Sequence, residues 1–201
     1  KEKRDGKFFG YAVDGTPADC VKLAVKAILK AKPHLLISGI NRGANVGEDI
    51  IYSGTVSAAT EGTVCDVPSI AISVDNLKNP DYSFAARFAR KMAKIVLDKG
   101  LPKKTLLNIN IPNAAGKDIK GVKVTCQSTA KFKDYFIKRV DPRGRDYYWM
   151  DGDFVEITKN ADDDYTAIKN NYISITPVHY DLTAYNKIKI FENWKINKNI
   201  R

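Results

Sequence analysis

From residue 16 to residue 32 the apolar positions recur every three or four residues. Val21, Ala24, Val25 and Ile28 share one side of a helix, so TPADCVKLAVKAILKAK is predicted to form one and to bury that stripe. Thr16 is a suitable N-cap, Pro17 fits the first helical position, and Asp19 complements the positive end of the dipole. The stretch before it, KEKRDGKFFG, reads as a polar lead-in, with YAVDG as a short strand. HLLIS is a short apolar run suited to a central parallel strand.

A second helix is expected from about Thr55 over TVSAATEGTV, then a strand over SIAISV. DYSFAARFARKMAKIVLDKG follows as a longer helix, with Phe84, Phe88, Met92, Ile95 and Val96 on one side and Gly100 to close it. TLLNINIP supplies another strand. Strands alternating with helices predict a doubly wound α/β fold with a mainly parallel sheet and helices on both faces. After Pro112 the pattern turns β-rich: KGVKVTCQS, DYYWMDGDFVEIT and YISITPVHYDLT read as strands, with Asp151-Gly152 in hairpin position. The expected organisation is an α/β core over 1–112, then a β-rich appendage over 113–201 of the same domain, ending in a basic tail used in oligomerisation.

Composition narrows the function classes. The chain contains no run of about 18 apolar residues, so no transmembrane helix is expected. No leader is visible, although a chain that starts at Lys1 is weak ground for excluding one. The net charge of +10 invites a polyanion-binding reading. Its basic residues are scattered, however, and no aromatic-interleaved RNA-binding signature occurs. General solubility and a mild attraction for anionic substrates fit better than a dedicated nucleic-acid partner. Cys20, Cys65 and Cys126 lack CxxC spacing and suit buried packing in a reducing cytosol.

The candidate chemistry lies in SGINRGANVGEDIIYSGTVSAATEG, between the HLLIS strand and the second helix. Ligands of open α/β sheets bind beyond the carboxyl ends of the strands, where this loop emerges. Ser53-Gly54-Thr55 falls at a helix N-terminus, whose free N–H groups and dipole suit a phosphate, though Ser53 or Thr55 can equally be a plain N-cap. Asn41 and Asn45 offer hard neutral oxygens for a Mg²⁺-like cation, or can position a water or phosphate; turn chemistry beside glycine is the alternative. The stretch is neither a P-loop nor a GxGxxG fingerprint. His34 and His179 stand isolated, Asp162-Asp163-Asp164 reads as a solvated acidic turn or a helix cap, and no GxSxG elbow is present.

This glycine-rich block, together with VDGTPADCVKLAV, LNINIP, DPRGRDYYW and YISITPVHYDLTAY in the same order, closely resembles the SurE family of survival-protein 5'-nucleotidases over nearly the whole chain. The resemblance implies a Rossmann-like core with an interlocking C-terminal region in a homodimer or homotetramer. It also implies a cytoplasmic, metal-dependent phosphatase acting on nucleoside 5'- and 3'-monophosphates, with some activity on short polyphosphate. One divalent cation per subunit, Mg²⁺ or Mn²⁺, would be held in part by Asn41, while Asn45, Ser53, Gly54 and Thr55 would line the phosphate pocket. The family's NDDG motif, which carries the metal-binding aspartates, does not occur in these 201 residues, and the remaining ligands are expected upstream of Lys1. A non-catalytic polyanion-binding protein and a degenerate family member are the alternatives.

Overall fold

The computed structural model describes residues 1–155 and 160–194. It opens on a hairpin of β1 (Glu2–Arg4) and β2 (Lys7–Gly10). Asp5 and Gly6 both take positive φ (52° and 74°), as the tight turn between twisted strands requires. The expected polar lead-in is therefore a hairpin, and Tyr11, Ala12 and Val13 lie outside any strand.

Helix α1 (Pro17–Leu23) starts on the predicted cap: Thr16 Oγ1 accepts from the Asp19 N–H at 3.2 Å, and the Asp19 carboxylate accepts from the Thr16 N–H at 2.9 Å. It continues as a π-helical turn, Ala24–Ile28, and stops there, short of Lys32; helical backbone is in any case disfavoured for the residue before Pro33. Val21, Ala24, Val25 and Ile28 do share a face, but that face is half-buried rather than buried.

The frame is a five-stranded sheet. Its strands are β3 (Leu36–Arg42), β4 (Ser69–Val74), β5 (Thr105–Ile111), β6 (Gly121–Val124) and β9 (Tyr172–His179), in the order β3-β4-β5-β9-β6. The pairs β3-β4, β4-β5 and β6-β9 are parallel, and β9 runs antiparallel to β5. The β-rich half thus adds two strands to the α/β sheet. Helix α3 (Tyr82–Lys99) covers one face, setting Ala85, Met92 and Val96 against Ile70, Ile72, Ile109 and Ile173. Asp81 caps it and Gly100 closes it at φ 73°. Ile95, expected on the buried side, is 36% exposed. Helix α2 (Gly54–Val64) covers the opposite face, setting Val56 and Ala59 against Ala71 and Leu106. No helix among the described residues is long and apolar enough to cross a membrane.

A second ribbon, β7 (Lys131–Val140) paired with β8 (Asp146–Val155), stands apart from the sheet. Its turn is not Asp151-Gly152, which lies within β8, but residues 141–145. There Asp141 Oδ1 accepts from the N–H groups of Arg143 and Arg145, and Gly144 has φ 77°. Gly152 instead permits close pairing, because a Cβ there would run into the Lys133 carbonyl. Phe136, Tyr148, Trp149 and Met150 of this ribbon are exposed. The expected strand beyond Val155 and the last seven residues of the basic tail lie outside the described residues.

Candidate active site

The loop after β3 leaves the sheet at its carboxyl edge, and the sheet itself holds that loop down. Asn108 and Asn110 sit two residues apart on one face of β5, fully buried in an otherwise apolar strand. Both amide nitrogens donate to the Asn45 carbonyl, at 2.8 and 3.0 Å, while Asn110 Oδ1 accepts from the Asn45 N–H at 2.8 Å. The Asn45 amide nitrogen donates to Ser73 Oγ on β4 at 2.7 Å. A buried backbone segment left without such partners would be costly, so these polar positions inside the sheet are what let the loop lie on it.

The two loop asparagines differ in what they can offer. Asn41 Nδ2 donates to the carbonyls of Gly43 (2.9 Å) and Arg42 (3.3 Å), which fixes its oxygen as the free end. That end suits a cation. Asn45 is anchored on a hydroxyl, which can accept or donate, so its amide can present either end to a ligand. That end suits an anion as well.

Ser53 is the N-cap of α2: its hydroxyl accepts from the Val56 N–H at 3.1 Å. The capping alternative is therefore real, yet a hydroxyl that accepts still has a proton to donate. The first turn of α2 carries no acidic residue, so nothing in it offsets the positive end of the helix dipole. Gly54 serves packing, since a Cβ there would sit 3.1 Å from the Pro17 ring of α1. We expect Ser53→Ala to cost about 1 kcal/mol of stability, read as a fall of roughly 2–4 °C in a thermal melt.

Asn45 and Ser53 open into a cleft of ≈ 810 Å³, within the range of about 300–1,000 Å³ usual for small-molecule sites. The loop supplies one wall through Glu48, Asp49 and Tyr52. The β7 ribbon supplies the other through Lys131, Phe132, Lys133 and Asp134, with Met150 of β8. Burial, then the neighbouring Glu48, pushes the Asp49 carboxyl up. Asn41, Gly54 and Thr55 do not line this cleft. The structure thus brings Asn45 and Ser53 together and sets Asn41 on β3, paired in register with Ser73.

The acidic triplet is not a solvated turn. Asp163 caps helix α4 (Asp164–Lys169), accepting from the Thr166 N–H at 2.7 Å, and both Asp163 and Asp164 are buried. Burial pushes the Asp164 carboxyl up, and hydrogen bonds from Ser128, Gly47 and Tyr165 pull against it. Among the described residues no three His, Cys, Asp or Glu side chains gather to hold a metal. Asn41 therefore fits a cation as one neutral oxygen ligand, and these residues supply no carboxylate set around it. The three cysteines are free; Cys126, expected to be buried, is exposed.

Sequence reasoning missed Ser73, Asn108, Asn110 and the lysine-bearing wall. The period-two asparagines of NIN, polar where a buried strand should be apolar, were the available signal.

Residues 1–134 match the family described as Survival protein SurE. A 5'-nucleotidase SurE of Symbiobacterium thermophilum is 48% identical over 185 residues, covering 92% of this chain and 72% of that protein. One of Thermoanaerobacter sp. (strain X514) is 47% identical over 196 residues, covering 98% and 77%. A solved structure, the SurE protein from Aquifex aeolicus, superposes with a TM-score of 0.77 at 44% identity, covering 90% of this chain and 74% of that one.

Proposed function

The chain belongs to the SurE family, and on that premise we propose that it is a 5'-nucleotidase whose phosphate end is the N-terminus of α2. The reaction is hydrolysis of a nucleoside 5'- or 3'-monophosphate to nucleoside and phosphate, with short polyphosphate as a further substrate. One observation carries the reading: Ser53, the cap of a helix whose first turn has no acidic residue, lines a cleft whose far wall bears two lysines beside one aspartate.

In this mechanism the Ser53 hydroxyl, at the positive end of the α2 dipole, binds the phosphoryl oxygens, and Asn45 turns its amide nitrogen toward them. Such preorganised donors count most where charge spreads over the transferring group. Lys131 and Lys133 draw the dianion in from the opposite wall, and Phe132 offers an aromatic face on the nucleoside side. A divalent cation, Mg²⁺ or Mn²⁺, one per subunit and with Asn41 among its ligands, supplies Lewis acidity and an activated water when bound. The exposed aromatic ribbon suits a homodimer or homotetramer, and three free thiols suit a cytoplasmic setting.

Phosphate release from 5'-AMP should vanish in EDTA and return with Mn²⁺ or Mg²⁺. Undiminished release in EDTA would remove the metal from the proposal. Nucleotide binding that weakens steeply with salt, with no phosphate released under any metal, would favour the polyanion-binding reading.

A further inference from the structure

Asp164 makes a set of contacts that helix α4 does not need. The helix already has its cap in Asp163, so the Asp164 carboxylate, fully buried, is turned to other parts of the chain. It accepts from the Gly47 N–H, at 3.1 Å to Oδ2 and 3.3 Å to Oδ1, and from the Ser128 N–H at 3.0 Å. It also accepts from the Tyr165 N–H at 2.8 Å. Gly47 directly precedes Glu48 of the loop wall, and Ser128 stands three residues before Lys131, where β7 and the ribbon wall begin.

Two further bonds close the same junction. Gln127 Nε2 donates to the Gly47 carbonyl at 2.7 Å, and the Glu48 N–H donates to the Ala130 carbonyl at 2.9 Å. The Gly47 peptide is thus held on both sides by the segment that becomes the opposite wall. The fit leaves no slack: Gly47 has φ 57°, and a Cβ there would meet the Ala130 carbonyl and lie 2.9 Å from Ser128 Oγ. An ionised carboxylate is the acceptor-only group that three converging N–H donors require; an asparagine must turn an NH₂ onto at least one of them.

We propose that Asp164 is a positioning residue that fixes the separation of the two cleft walls and thereby the fit of the nucleotide. This role rests on the reading of the cleft as the nucleotide site. Asp164 touches no substrate and acts through Gly47 and Ser128.

The test compares Asp164→Asn with the wild type in the intact protein, by hydrogen–deuterium exchange and by kinetics with 5'-AMP. Residues 44–53 and 127–134 should exchange at least about tenfold faster together, while α3 and β5 keep their protection. KM for 5'-AMP should rise by about tenfold or more, and by more than kcat falls. Faster exchange in only one segment, or loss spread evenly through α3 and β5, would overturn the clamp. So would an unchanged KM. If Asp164→Asn does not fold, Gln127→Ala releases the same peptide from its other side and must give the same paired response; its absence overturns the proposal. A wild type that releases no phosphate, but whose variant shows the paired response, keeps the clamp and discards the nucleotidase reading.

Discussion

Asn41→Ala is expected to fold normally and to lose at least about 100-fold in metal-dependent phosphatase activity. The stability half of this expectation comes from what the side chain touches. Asn41 is half-buried, and its amide bonds to the carbonyls of the next two residues, Arg42 and Gly43. Removing it takes one donor from the carbonyl of buried Gly43 and touches none of the apolar clusters, so the cost should stay within about 1–3 kcal/mol. The activity half comes from the fixed oxygen. Replacing mere outer-shell partners of metal ligands costs about 10–100-fold, and a direct ligand should cost more. Initial rates at saturating Mn²⁺, beside a melt of the same preparation, check both halves. Wild-type rates would end the ligand assignment, whereas a low rate with a collapsed melt would mean that the side chain serves the fold.

Gly39→Ala should have the opposite profile, with stability lost first and activity lost with it. Gly39 has φ 123° inside β3, a region closed to side chains in general. A Cβ would run into the Ile72 carbonyl of β4 and lie 3.1 Å from both Ile72 Cγ2 and the Asn41 nitrogen. Ile72 is fully buried between the sheet and α3, so it has nowhere to retreat. Backbone strain and overpacking together should cost on the order of 3 kcal/mol or more. For a chain of this size that is a fall of roughly 6–12 °C in melting temperature. Because the β3-β4 register shifts between Ser38 and Asn41, any adjustment by β3 also moves Asn41. A melt within a degree of wild type would show that β3 can yield here.

The parts of the fold that were legible are those where one periodicity prevails. SIAISV is buried throughout, its apolar core flanked by only two small serines, because both faces of β4 are covered, and the α3 pattern repeats as a helix facing a sheet must. The β7 ribbon was not legible. KFKDYFIKRV mixes lysines and aromatics and is largely exposed, so no buried face imposes a period. The first hairpin was legible in principle through Asp5-Gly6, but the same dipeptide at Asp151-Gly152 lies mid-strand. An Asp-Gly pair marks tolerance of close or left-handed backbone, and only the flanking pairing decides which of the two is used.

The candidate site divides in the same way. Asn41, Asn45 and Ser53 are visible because one loop concentrates them. Asp164 is invisible because its partner Gly47 is 117 residues away and its neighbours form an acidic run that resembles a surface turn. Long-range polar contacts leave no local period, so only a polar residue out of place, as in NIN, can hint at them.

The ribbon of β7 and β8 also has a mechanical consequence. Each strand runs ten residues, so the ribbon projects about 34 Å from its root. Its root is the cleft wall, fastened at Ala130, and its tip is the turn at residues 141–145. Such a lever multiplies angle into distance: a rotation of about 10° at the root sweeps the tip through roughly 6 Å. A small rotation of the wall would therefore reach the far end of the ribbon as a displacement of several ångströms.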